Sequence, residues 1–209
     1  ERPGAVLLEL PEDIAEEETI EPVIPPHYRR YAVAGDAALD EAAERIIAAE
    51  RPLLLIGAGA NRRRASKALR KFVSDTGFPF FDTQMGKGVV DEDSELYLGT
   101  AALSSGDYVH CAIEKADLIV NIGHDVVEKP PFFMEPGGQT VIHINYKAAE
   151  VDQVYFPQLE VIGDIAGSVE RLGNRLDGKL QCDRSYYTAL HHEIASHISE
   201  TSDDERFPM

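Results

Sequence analysis

Apolar runs alternate with segments of helical periodicity from about residue 33 onward. Residues 53–56 are entirely apolar, as is typical of a strand buried on both faces. Leu39, Ala43 and Ile46 instead recur at helical spacing, which predicts an amphipathic helix before that strand. The same reasoning predicts strands at residues 78–81, 117–123, 140–145 and 159–164, and helices at residues 65–73, 108–116 and 165–172.

The connections between these elements are short, and strands and helices take turns along the chain. Such an order suits strands that run parallel and are joined by crossover helices. We therefore predict an α/β fold with an open, mostly parallel sheet that carries helices on both faces.

The first thirty residues have a different character. Residues 6–10 are mostly apolar and predict a short strand, whereas residues 12–31 combine a run of glutamates with three prolines, which favours an extended linker. Both ends of the chain look cut, so we expect residues 1–30 to be poorly ordered or to pack as a lone strand. A domain boundary is predicted near residue 33.

Charge and cysteine content exclude several classes of protein. The chain carries 37 acidic against 20 basic side chains, a formal charge of -17, and such a field repels nucleic acid and anionic membranes. Cys111 and Cys182 form no C-x-x-C pair, which argues against a disulfide framework or a zinc site and fits the cytoplasm. No apolar stretch is long enough for a membrane span.

The strand at residues 53–56 leads into a glycine turn, Gly57-Ala58-Gly59, and then into three arginines at residues 62–64. Turns of this kind bring backbone N–H groups and a helix N-terminus to a phosphate. Arg62 stands where a dinucleotide fingerprint has its third glycine. A tight turn without any ligand is therefore an open alternative.

Small or polar residues also follow the other predicted strands. In an open parallel sheet, ligands bind beyond the carboxyl ends of the strands, where the strand order reverses. Convergence of several such strand ends predicts a nucleotide crevice. The segments concerned are residues 57–61, 83–86, 123–125 and 163–164.

Sequence motifs for other chemistries are incomplete. The G-K-G at residues 86–88 lacks the Ser or Thr of a phosphate loop, and the histidines at residues 192 and 197 are one residue too far apart for a zinc helix. His124 and Asp125 follow a strand and could serve acid–base chemistry, ligand contact or loop packing. Asp82 ends the second strand of the unit, where a dehydrogenase places the acid that binds ribose.

The order of these segments resembles the central domain of thiamine-diphosphate-dependent enzymes, in particular the acetolactate synthase (acetohydroxyacid synthase) group. The resemblance covers nearly the whole chain. The matching segments are R-P-G-A-V and L-P-E-D-I at residues 2–6 and 10–14, R-P and L-I-G-A-G at 51–52 and 55–59, T-Q-M-G-K-G at 83–88, L-G-T at 98–100, A-D-L-I at 116–119 with Gly123, G-D at 163–164 and R-F-P-M at 206–209.

The resemblance implies a domain plan and a cofactor set. It makes residues 1–32 the end of a pyrimidine-binding domain plus a linker, residues 33–180 a six-stranded, Rossmann-like central domain, and residues 181–209 a helical linker toward a diphosphate-binding domain. In the full-length enzyme, a homo-oligomer, those other domains of the same polypeptide hold thiamine diphosphate and Mg²⁺. No catalytic or metal-binding residue is expected in this chain, and the fragment alone should be inactive.

Family members hold FAD, ADP or nothing in the central domain. Two departures weaken the case for FAD here: Asp125 stands where the family has an arginine, and Asn145 stands where it has an acid that meets a ribose hydroxyl. Carried over residue by residue, the family's flavin contacts fall on Arg2, Gly57, Ala58, Gly59, Asn61, Thr83, Gln84, Met85, Ser105, Gly106, Gly123, His124, Asp125, Asn145, Gly163 and Asp164.

Two other hypotheses stay open beside an acetolactate-synthase-like central domain. One is a free-standing NAD-dependent oxidoreductase that uses Gly57, Gly59 and Asp82. The other is a structural or assembly domain with an empty crevice. Thermal shifts with FAD, ADP and NAD distinguish the three.

Overall fold

The computed structural model describes residues 5–26, 31–101, 108–125, 128, 138–151 and 155–202. The chain divides into two units, Glu1–Tyr31 and Ala32–Met209. In the first unit the one-turn helix α1 spans Glu12–Ala15. The strand predicted at residues 6–10 is wrong: residues 5–10 have no regular structure, and Val6 and Leu7 are exposed. An apolar segment forms a stable strand only beside another strand that satisfies its backbone groups.

Within the described residues, the second unit is built on one sheet of six strands, all of them parallel. Its strand order, β3-β2-β1-β4-β5-β6, reverses between β1 and β4, the doubly wound order of a dinucleotide-binding fold. This confirms the predicted fold class. The strands are β1 Pro52–Ile56, β2 Phe80–Thr83, β3 Tyr97–Ala101, β4 Leu118–Ile122, β5 Thr140–Asn145 and β6 Leu159–Ile162.

Helices cover both faces of the sheet, as predicted. Side chains on a strand alternate between the faces, so Leu54 and Ile56 enter one core and Leu53 and Leu55 the other. The first core is closed by α2 (Asp36–Ala48), α3 (Arg63–Thr76) and α5 (Ile165–Leu176), and the second by α4 (Tyr108–Lys115) and α6 (Ser185–Ser202). Among the described residues, no helix has the length and apolar character to cross a membrane.

Helix α6 lies within residues 181–209, for which the resemblance implies a helical linker, and it packs against the sheet. Tyr187 and Leu190 are buried in the second core. The Tyr187 hydroxyl donates to the Arg51 carbonyl oxygen at 2.9 Å, and His191 Nδ1 lies 2.8 Å from the Tyr97 carbonyl oxygen. Helix α6 is therefore part of the layer that covers β1 and β3.

Candidate functional site

The segments singled out by the sequence lie along one edge of the sheet. Because all six strands are parallel, Gly57, Thr83, Gly123, Asn145 and Gly163 all stand at the carboxyl ends of their strands. The strand order reverses between β1 and β4, so the Gly57 and Gly123 turns flank the position where such folds bind a ligand.

The turn after β1 does not lead directly into a helix. Gly57 is followed by a short 3-10 turn, Ala58–Ala60, and α3 begins only at Arg63. Arg62 occupies the N-cap position without any side-chain capping bond, and residues 62–64 are exposed. The N–H groups next to the end of β1 are therefore those of the 3-10 turn.

The two turns at the point of strand reversal are in direct contact. Gly59 N–H donates to the Gly123 carbonyl oxygen at 2.7 Å, and Gly57 N–H donates to Ile122 at 2.9 Å. A Cβ on Gly59 would lie 2.9 Å from the Gly123 carbonyl oxygen, and Gly123 itself has a φ of 76°. The glycines thus allow two strand ends to pack backbone against backbone.

The carboxylate of Glu128 fills the space beside this contact, and Glu128 is only 7% exposed. Ala58 N–H lies 3.0 and 3.1 Å from its two oxygens, and Asp125 N–H donates to Oε2 at 2.9 Å. The Thr83 hydroxyl donates to Oε1. One carboxylate therefore joins the ends of β1, β2 and β4, where an N–H turn of this kind binds an anion.

The charge on Glu128 is set by opposing effects. Burial raises the pKa of Glu128, while hydrogen bonds from Thr83, Asp125 and Ala58 oppose that shift. The Nδ1 atom of His124 lies 3.9 Å from Glu128 Oε2, and burial lowers the pKa of His124 to about 4. The imidazole is therefore neutral at pH 7 and does not pair with the carboxylate as a cation.

At the carboxyl edge of the sheet, Asn145 forms hydrogen bonds within the protein and Gly163 allows close packing. The Asn145 side chain donates to the His124 carbonyl oxygen at 2.8 Å and accepts from Tyr146 N–H at 2.8 Å. A Cβ on Gly163 would come within 2.5 Å of the Ala34 nitrogen, so this glycine is required for close packing.

Asp164 and Asn61 also bond within the protein. Asp164 caps α5 by accepting from Gly167 N–H at 2.9 Å, and it pairs with Arg64 at 3.1 Å. Asn61 donates to the Met85 carbonyl oxygen at 3.2 Å. The neighbouring Gln84 and Met85 are exposed. The predicted contacts at Arg2, Ser105 and Gly106 lie outside the described residues.

A cluster of buried polar side chains that the sequence analysis missed lies on the face of β4 and β5 that is covered by α4 and α6. His143 Nε2 is 3.1 Å from the Lys147 carbonyl oxygen and His143 Nδ1 is 2.8 Å from the Tyr155 hydroxyl. A neutral ring that donates from Nε2 and accepts at Nδ1 satisfies both contacts. Asn121 then donates to the Tyr155 oxygen at 2.9 Å. Burial lowers the pKa of His143, which keeps this chain of bonds neutral.

Asp82, the acid that the NAD hypothesis needs for ribose, is buried at 2% exposure. The Tyr97 hydroxyl donates to its Oδ1 at 3.2 Å, and Thr100 also bonds to the carboxylate. Burial raises the pKa of Asp82 to about 6. Its carboxylate is bonded to side chains of the neighbouring strand β3, which counts against a ribose contact.

Comparison with known proteins decides the family. Residues 39–172 match the family model described as "Thiamine pyrophosphate enzyme, central domain". The chain belongs to this family.

Among relatives of this central domain, the catabolic acetolactate synthase of Raoultella terrigena is 30% identical over 181 residues. The acetolactate synthase of Bacillus subtilis is 31% identical over 175 residues. These alignments cover 86% and 81% of this chain but only 32% and 30% of the relatives. The chain thus spans about a third of the length of the relatives it matches.

A solved structure supports the fold. The structure of a protein described as a thiamin diphosphate-dependent enzyme from Mycobacterium smegmatis superposes with a TM-score of 0.61 at 24% identity. The match covers 75% of this chain and 30% of that chain. It shows that the arrangement of strands and helices recurs in a longer chain.

The residues around the β1 turn do not fit the pyrophosphate of the FAD or ADP that the resemblance implies. A phosphate at this turn needs free backbone N–H donors. The N–H groups of Ala58 and Asp125 bond to Glu128, and that of Gly59 bonds to Gly123. These N–H groups therefore already donate to a carboxylate and to a carbonyl oxygen of the same chain.

The elevated pKa of Asp82 predicts a pH-dependent effect of Asp82→Asn on the stability of the central domain. Its folded value, about 6, exceeds the ordinary value of 3.8. The buried charge therefore destabilises the fold above pH 6, and protonation removes that cost as the pH falls toward 4. We expect Asp82→Asn to raise the free energy of unfolding by about 1 to 2 kcal/mol at pH 7.5, and by about half as much at pH 5.

Urea unfolding at the two pH values checks this, with Glu44→Gln on the exposed face of α2 as the control. The other titrating groups are common to both proteins, so the difference isolates Asp82. A gain of equal size at both pH values would contradict the assigned pKa.

A separate groove of about 860 Å³ lies between α3 and α5, and its lining includes Phe72, Gly77, Gly173 and Asp177. These residues stand at or near the carboxyl ends of the two helices, which is the amino edge of a parallel sheet. The groove is therefore remote from the Glu128 carboxylate.

Proposed function

We propose that this chain is the central domain of an enzyme that, at full length, makes acetolactate with thiamine diphosphate and Mg²⁺. The match of residues 39–172 to the thiamine pyrophosphate enzyme family carries the proposal, together with relatives named acetolactate synthase. In this chemistry the cofactor stabilises the carbanion left when a 2-keto acid loses CO₂, and the carbanion adds to a second keto acid.

Within that enzyme, the central domain supports the other domains and performs no bond-breaking step. The polar residues at its carboxyl edge bond to one another: Glu128 joins three strand ends, Asn145 fixes the loop after β4, and Asp164 caps α5. Such internal pairing suits a rigid scaffold. The proposed partners are the remaining domains of the same polypeptide and further copies of it, in the cytoplasm.

The full-length protein provides the test. With pyruvate, thiamine diphosphate and Mg²⁺ it should release one CO₂ for each acetolactate formed from two pyruvates. Removing Mg²⁺ with EDTA should abolish turnover, and the 209-residue chain alone should show none. A full-length protein that releases no CO₂ from pyruvate or other 2-keto acids would refute the proposal, as would turnover by the isolated chain.

A further inference from the structure

We propose that Glu128 is a built-in substitute for the phosphate that a β1 glycine turn binds, so that its carboxylate closes this turn to pyrophosphate, ADP and FAD. The corollary is that a variant without the carboxylate acquires an anion site at the same place. This inference concerns the chain itself and is independent of the reaction that the full-length protein catalyses.

The hydrogen bonds around Glu128 reproduce those of a bound anion. An ionised carboxylate only accepts hydrogen bonds, and donors from three strand ends point at this one. Ala58 N–H belongs to the turn after β1, Asp125 N–H to the loop after β4, and the Thr83 hydroxyl to the end of β2. Phosphate oxygens use the same kinds of donor at the same edge of such a sheet.

The space around the carboxylate leaves no room for a second anion. A single Cβ added to Gly57 would lie 2.8 Å from Glu128 Oε2 and 2.8 Å from the Gly123 carbonyl oxygen. On the other side, the Gly59 N–H bond to Gly123 joins the two turns directly. A phosphate therefore has to displace the carboxylate to reach the N–H groups.

The charges around Glu128, like the lack of space, disfavour the binding of a phosphate. Asp125 lies close enough to raise the pKa of Glu128, and His124 is neutral at pH 7 and supplies no positive charge. The exposed arginines at residues 62–64 lie beyond the 3-10 turn, where Arg64 pairs with Asp164. An incoming phosphate beside an ionised Glu128 meets repulsion.

The test titrates the 209-residue chain with pyrophosphate and ADP by calorimetry, and with FAD by quenching of flavin fluorescence. Four proteins are compared: the wild type, Glu128→Ala, Glu128→Gln and the control Glu170→Gln, which removes an exposed charge from α5. Wild type and control should show no saturable binding up to millimolar concentration. Glu128→Ala should bind pyrophosphate at least tenfold more tightly than the wild type, and Glu128→Gln should gain less because its amide still fills the space.

Either of two results would overturn the proposal. One is binding of pyrophosphate, ADP or FAD by the wild type as tight as that by Glu128→Ala. The other is a folded Glu128→Ala that binds pyrophosphate no better than the wild type. If alanine prevents folding, Glu128→Gln decides, because it keeps the volume and one acceptor oxygen: higher affinity than wild type supports the proposal, and equal affinity overturns it. Acetolactate formation is measured separately, so failure here leaves the proposed function standing.

Discussion

Replacing Glu128 by alanine should lower the free energy of unfolding of the central domain by about 2 to 4 kcal/mol at pH 7.5. The substitution leaves the Ala58 and Asp125 N–H groups and the Thr83 hydroxyl without their acceptor. Partly buried donors that lose their partner cost more than the net value of the bond. Part of the loss is offset because the burial of the carboxylate, which raises its pKa, is itself unfavourable.

Urea unfolding followed by circular dichroism measures the change, with Glu170→Gln as a control expected to stay within about 0.5 kcal/mol of the wild type. Pyrophosphate should restore part of the loss, because a ligand that binds only the folded state stabilises it. A loss smaller than that of the control would show that the carboxylate does not hold the strand ends together.

Gly123→Ala should destabilise the domain by about 3 to 5 kcal/mol, against about 1 to 2 kcal/mol for Gly88→Ala. The two glycines have nearly the same positive φ, 76° and 75°. A Cβ on Gly123, however, would lie 2.4 Å from the Ala60 nitrogen, whereas a Cβ on Gly88 meets nothing within 4 Å. Comparison of the two variants separates the free-energy cost of alanine at a positive φ from the free-energy cost of the clash between the two turns.

Thermal and urea unfolding of both variants check this prediction. Equal losses for the two would mean that the contact between the turns after β1 and β4 is loose in solution. A larger loss for Gly88→Ala would contradict the packing at the point of strand reversal.

The sequence predicted the sheet well where strands are continuous apolar runs. Residues 53–56 were recognised on this ground, because burial on both faces of a strand leaves a continuous apolar pattern in the sequence. Strand β3 was not recognised as a strand, since Gly99, with a φ of 121°, interrupts it and only Leu98 in it is fully buried. The strand at residues 6–10 was wrong because an apolar run forms a strand only beside a partner.

The candidate site could be predicted only in part, because its central residue has no local signature. Glu128 is followed by Lys129 in the sequence, and a charged pair of this kind ordinarily indicates a solvated surface. Its partners Ala58 and Thr83 are 70 and 45 positions away along the chain. These donors come together only in the folded sheet. The glycine turn therefore predicted a bound anion, but not that the Glu128 carboxylate is that anion.

The glycines themselves illustrate the same limit. Gly57 and Gly59 predict that some group approaches the backbone closely, but they do not distinguish a ligand from another part of the chain. In the structure the groups that approach are the Glu128 carboxylate and the Gly123 backbone. Asp82 is a similar case. An acid at the end of this strand predicts a ribose contact, but in the structure its carboxylate bonds to Tyr97 and Thr100.

The central claim is that the Glu128 carboxylate is the anion held by the turn after β1. The most direct measurement follows the amide resonances of Ala58 and Asp125 by nitrogen-15 NMR between pH 4.5 and 8. Both amides should titrate together, with a midpoint above 4.5, the ordinary value for glutamate, and the titration should vanish in Glu128→Gln. Amide resonances that stay constant over this range, or that titrate unchanged in Glu128→Gln, would contradict the claim.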